Sequence, residues 1–77
     1  MILIDVRTKD EYDNGHIDGA ILHDVMDMVQ GNFPTIDKDE EITVYCQSGG
    51  RSRVAKDILE NAGFKKITDA GSINNLR

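Results

Sequence analysis

The sequence predicts a parallel α/β sheet covered by helices on both faces. Three observations lead there. Short apolar or β-branched runs alternate along the chain with stretches of helical spacing. Helix-starting and helix-stopping residues fall between them: Thr8 with Glu11, Asp24, and the glycines at 15, 31 and 63. No repeat, low-complexity stretch or linker breaks the order, so residues 1–77 read as one domain.

The elements follow in turn. "MILIDVR" (1–7) is a near-continuous apolar run, as expected of a strand buried on both faces. In "TKDEYDNGH" (8–16), Thr8 and Glu11 form a capping box, and Gly15 stops a short helix. "AIL" (20–22) is a short second strand. Val25, Met26 and Val29 then make a brief helical stripe, with Asp24 as N-cap and Gly31 beyond it. "NFPTIDKDEE" (32–41) is a polar connection holding the only proline. "ITVYC" (42–46) is the strongest strand signal, β-branched and aromatic. Val54, Ala55, Ile58, Leu59 and Ala62 recur at helical spacing, and Gly63 ends that helix. "KKITDA" (65–70) is the last strand, and "GSINNLR" (71–77) a turn with one more helical turn.

Composition excludes several function classes. Fourteen acidic against nine basic residues give a net charge of −5. Nucleic-acid binding needs a basic stripe, and Lys65-Lys66 is too short to be one. No apolar stretch is long enough to span a bilayer, and no cleavable signal stands at Met1. The cytoplasm is the expected compartment, or the periplasm if a signal peptide has been removed. A single cysteine excludes an intrachain disulfide, and Cys46, His16 and His23 lack zinc-ligand spacing, so no metal is expected. With no obvious exposed apolar stripe, the chain is expected to be a monomer.

The informative stretch is "YCQSGGRSRVAK" (45–56). Its thiol stands where a strand ends, before a glycine turn that Arg51 closes and that leads into a helix. In an open parallel sheet the carboxyl ends of strands hold the ligand crevice. The free amides of Gln47, Ser48, Gly49, Gly50 and Arg51 sit at a helix start, which favours an anion, and the two glycines can turn them inward. Such a setting lowers a thiol pKa from about 8.5. Arg51 adds a fork of donors for a sulfonate, phosphate or arsenate group. No lysine precedes the serine, so the turn is not a nucleotide P-loop. Residue types alone leave two readings open: a nucleophile in an oxyanion cradle, or a small buried hydrophobe beside an ordinary turn.

Four stretches together resemble the rhodanese-like sulfurtransferases: "LIDVRTKDEYDNGHIDGAI" (3–21), "ITVYCQSGGRS" (42–52), "AKDILENAGF" (55–64) and "ITDAGSI" (67–73). The resemblance is closest to compact stand-alone bacterial members. It implies an open parallel sheet of about four to five strands and a Cys46 that cycles through a persulfide. The donor would be thiosulfate or another sulfane-sulfur compound, and the acceptor cyanide, a thiol or a thiol protein, with no cofactor. Residues 47–52 would bind the donor, and Arg51 its sulfonate. Phosphatases of this fold space cysteine and arginine by five residues; here there are four, which ranks a phosphatase or arsenate reductase below sulfur transfer. A non-catalytic binding module is the other alternative, but such modules commonly lack the cysteine. A thiol redox switch would find no resolving cysteine within the chain.

Other matching residues are read as structural. Asp5 is expected to be a buried hydrogen-bonding carboxylate, Arg7 an ion-pair partner with Glu11 as the candidate, and His16 a ligand of nearby carbonyls. His23 is expected to be an exposed bystander, and Met26 and Met28 packing and surface positions. The chain also departs from the family pattern. Leu22-His23-Asp24 replaces Asn-Ile-Pro, Gly71-Ser72 replaces Gly-Gly with no tryptophan after it, and the first strand read here is expected to match what is usually an inner strand.

Overall fold

The computed structural model describes all 77 residues. Its strands are β1 (Ile2–Asp5), β2 (Ile21–Leu22), β3 (Glu41–Cys46) and β4 (Lys66–Ser72). They form one parallel sheet in the order β2-β1-β3-β4. Helices α1 (Lys9–Asp13), α2 (Val25–Val29) and α3 (Gly50–Asn61) connect them, and a 3₁₀ turn (Ile73–Asn75) follows β4. Four strands with helices on both faces is the expected architecture.

Strand alternation sorts the core into two faces. Ile42, Val44 and Cys46 of β3 join Ile4 and Val6 in a cluster with Val25 and Met28 of α2 and Ala55 and Leu59 of α3. On the other face Tyr45 meets Ala20 and Ile73, flanked by Tyr12 of α1. Cys46 therefore falls on the α2–α3 side by the same two-residue period that buries Val44. Leu59 is fully buried, and its replacement by alanine is expected to cost about 2–5 kcal/mol.

The local signals explain the helix ends. Thr8 and Glu11 form both halves of the capping box on α1. The Asp24 side chain accepts from the Met26 amide at the start of α2. Gly15, Gly31 and Gly63 each follow a C-cap with positive φ.

Three details differ from the sequence reading. In α2 the inward residues are Val25 and Met28, whereas Met26 and Val29 are exposed, because a five-residue helix has too few turns to fix its phase. Val54 in the first turn of α3 is also exposed. β4 runs on through Gly71 and Ser72 because the sheet carries a bulge there: Val44 pairs with Asp69 but Tyr45 with Gly71, leaving Ala70 as the extra residue. Gly71 has φ +76°, and the Asp69 carboxylate accepts its amide hydrogen at 2.8 Å.

Topology locates the crevice. β1 and β3 are neighbours; from β1 the chain moves to one edge, and from β3 to the other. The carboxyl ends of these two strands, Asp5 and Cys46, flank the switch point where α/β sheets bind ligands.

Candidate active site

At the end of β3 the backbone turns sharply at Gly49, with φ +103°, and enters α3 at Gly50. Only Gly49 uses the left-handed conformation; Gly50 is an ordinary helical residue, contrary to the expectation that both glycines bend the cradle. The turn brings the Gly49 amide to 2.9 Å from Cys46 Sγ. Ser52 Oγ lies 3.5 Å from the same sulfur, with the thiol donating, while the Ser52 hydroxyl donates to the Gly49 carbonyl at 3.1 Å.

These contacts set the acidity of the thiol. Burial pushes the Cys46 pKa up. The Ser52 hydroxyl and the amides of Ser52, Gly49 and Ser48 outweigh that and hold it below the ordinary thiol value. Cys46 is at once 1% exposed, a member of the core cluster, and ringed on its loop side by donors. Its core side fits the reading as a small buried hydrophobe, and its loop side carries a donor of the kind the nucleophile reading needs.

Beneath the loop lies a buried ion pair. Arg7 Nε donates to both Asp5 oxygens at 2.9 and 3.1 Å, and Nη2 donates to Oδ2 at 2.7 Å. Nη2 also donates to the Gly15 carbonyl at 2.8 Å, and Nη1 donates to Gln47 Oε1 at 3.1 Å. Arg7 also stands over the Tyr45 ring. Burial penalises the Asp5 charge, but the Arg7 hydrogen bonds prevail and keep its carboxyl below the usual range. The Gln47 carbonyl accepts from Ser72 Oγ at 2.8 Å, so both ends of Gln47 are tied down.

Arg51 is held differently. Its Nη1 and Nη2 donate to Glu11 Oε1 and Oε2 at 2.6 and 2.9 Å, an end-on bidentate pair across 40 residues. The expected Arg7–Glu11 pair is therefore not formed: Arg7 pairs with Asp5, and Glu11 with Arg51. Arg7 turns inward beneath the loop, while Glu11, already fixed as the third residue of α1, faces the loop's far end. The hydrogen bonds from Arg51 hold the Glu11 carboxyl at about 2.

The remaining expectations are met in part. Asp5 is the buried, hydrogen-bonded carboxylate anticipated. His16 Nδ1 lies 2.9 Å from the Tyr12 carbonyl, and its ring stacks on Tyr12. His23 does have a partner: its Nε2 lies 2.8 Å from the Asn32 carbonyl. Met28 packs in the core and Met26 lies at the surface. A cleft of about 410 Å³ opens beside the loop, lined by Val25, Met26, Val29, Ser48, Gly50, Arg51 and Val54. A second hollow of about 280 Å³ lies at the opposite end of the strands, by Met1, Glu41 and Lys66, away from the thiol. The sequence did not mark Ser72 as a loop tether or Glu11 as the partner of Arg51.

Fold and loop together define a parallel α/β domain that presents a hydrogen-bonded cysteine at a helix start. The rhodanese-like domain model matches residues 1–74, and the chain belongs to that family. Thiosulfate sulfurtransferase PspE of Escherichia coli K12 is 34% identical over 76 residues, which cover 95% of this chain and 71% of PspE. Thiosulfate sulfurtransferase GlpE of Coxiella burnetii is 34% identical over 67 residues, 87% of this chain and 62% of GlpE. Other relatives are longer; the chain spans 35% of YrkF of Bacillus subtilis. A solved rhodanese with anions from E. coli superposes with a TM-score of 0.82 at 31% identity, covering 96% of this chain and 88% of that one.

Proposed function

We propose that the protein is a sulfurtransferase in which Cys46 takes a sulfane sulfur from thiosulfate and passes it to a thiophilic acceptor such as cyanide or a thiol. One observation carries the reading: the Gly49 amide and the Ser52 hydroxyl converge on the Cys46 sulfur at the start of α3. An amide that donates to the sulfur stabilises a thiolate, which is the nucleophilic form.

The chemistry closes without a cofactor. The thiolate attacks the outer sulfur of thiosulfate, the S–S bond of the donor breaks, and sulfite leaves with the bonding pair. The product persulfide is again an anion. Cyanide then takes the terminal sulfur as thiocyanate and regenerates the thiolate. Ser52 serves both states, since its hydroxyl can turn from the Gly49 carbonyl to the sulfur once the thiol proton is lost. The amides of residues 47–52 stabilise charge on the persulfide and on the departing sulfite, as an oxyanion hole does. The buried Arg7 holds Gln47 in place and does not touch the reacting atoms. Relatives named thiosulfate sulfurtransferases support the same reading.

Intact mass after incubation with thiosulfate tests it. A gain of one sulfur, removed by cyanide, is expected. No gain on a thiol that still reacts with an alkylating reagent would sink the proposal in favour of oxyanion chemistry. Cys46→Ser is expected to abolish the gain while moving the melting temperature by less than about 5 °C. Retained transfer in that variant would place the chemistry elsewhere.

A further inference from the structure

Both guanidinium groups at the crevice are matched by carboxylates. Arg7 is spent on Asp5, and Arg51 on Glu11. Glu11 accepts from each terminal nitrogen of Arg51, so the end-on edge of the fork is filled, and Nε with the outer N–H groups of the terminal nitrogens remains for another acceptor. The Asp24 carboxylate adds to the negative field at Arg51. Glu11 also accepts from the Thr8 amide at 3.3 Å and the Thr8 hydroxyl at 3.1 Å, which favour the rotamer that faces Arg51. A donor approaching this loop meets a neutralised cation on a chain of net charge −5.

We propose that Glu11 determines the charge class of the sulfur donor: by holding both terminal nitrogens of Arg51 it favours monoanionic donors, such as an organic thiosulfonate, over dianionic thiosulfate. The inference rests on the sulfur-transfer reading above. An organic thiosulfonate reacts by the same step, with the thiolate taking its outer sulfur and a sulfinate leaving with the bonding pair. It differs from thiosulfate by one charge and one substituent on the inner sulfur. The extra charge of thiosulfate is the part that an unpaired Arg51 would reward and a paired one does not.

The test compares kcat/KM for thiosulfate and methanethiosulfonate, with cyanide as acceptor, in the wild type and in Glu11→Gln. Glutamine keeps an oxygen for the Thr8 cap but removes the charge. The thiosulfate-to-methanethiosulfonate ratio is expected to rise roughly tenfold in the variant, through KM, which is the scale of one unit charge a few ångströms away in a partly solvated site. An unchanged ratio overturns the inference while leaving sulfur transfer intact. If neither donor places a sulfur on Cys46 in the wild type, the sulfur-transfer reading itself has failed, and this one with it. Should Glu11→Gln fold poorly, Glu11→Asp draws the carboxylate back by one methylene. A smaller shift of the same sign is then expected, and the wild-type ratio again overturns the proposal.

Discussion

Two arginine–carboxylate pairs bracket the cysteine loop, and they are unlike. Asp5–Arg7 is buried, at 0% and 3% side-chain exposure, and every nitrogen of its guanidinium donates a hydrogen bond. Glu11–Arg51 is about one-third exposed on both sides and leaves Nε and the outer N–H groups for another acceptor. The chemistry of the groups is the same; solvent makes the difference. A buried pair must stay paired, because a lone buried charge is costly, whereas a half-exposed pair can be loosened by water, salt or a competing anion. The first is scaffold for the loop, and the second lies within reach of whatever the loop binds.

Breaking the buried pair should give the largest effect. Arg7→Ala leaves Asp5 charged and buried and is expected to cost about 3–5 kcal/mol in urea unfolding, much of the total for a chain of this size. A loss under about 1 kcal/mol would mean that water reaches Asp5 and that the two pairs are alike. Arg51→Ala should cost less than about 1 kcal/mol in stability, the usual value of an exposed pair, but should raise the KM for thiosulfate several-fold. A large stability loss with unchanged KM would reverse the roles assigned to the two arginines.

Acid sharpens the contrast further. Both carboxylates titrate below their ordinary values in the folded chain, so each contributes stability above its ordinary pKa and loses it as pH falls through the folded one. For Glu11 the window runs from the ordinary 4.5 down to about 2. Stability measured across that window should fall. Glu11→Gln should remove only a shallow part of the decline, under about 1 kcal/mol because the pair is partly solvated. The smallest effect expected is that of salt: raising ionic strength should weaken the Glu11–Arg51 contribution by a few tenths of a kcal/mol and leave Asp5–Arg7 unmoved. A salt response that survives in Glu11→Gln would assign it to other surface charges.

Legibility followed distance along the chain. The capping box at Thr8 and Glu11, the glycine stops and the β3 run are local devices, and all formed as read. The position of the loop was equally readable, since Cys46 through Ser52 are contiguous and their place at a strand end follows from the α/β alternation, whereas its bend was not, because Gly49 alone takes the left-handed turn expected of both glycines. The partner of Arg51 was not, because it lies 40 residues away and two carboxylates near the crevice could have served. Phase in α2 failed for a different reason: Val25, Met26, Met28 and Val29 offer apolar side chains nearly all round five residues, and only the docked sheet chooses between them. The bulge at Ala70 was invisible as well, because one extra residue in an edge strand changes register without changing composition.

Glu11 is also the third residue of α1, a helix of five residues that could not persist in isolation. The carboxylate that closes its capping box is the one that reaches Arg51, so the helix start and the loop end share a single group. Mutational effects at the two places should therefore be epistatic. A substitution at Thr8, far from the sulfur in sequence and without contact to it, would be recorded as a change at Arg51, and a survey of single variants would attribute to the loop what belongs to the first turn of a helix.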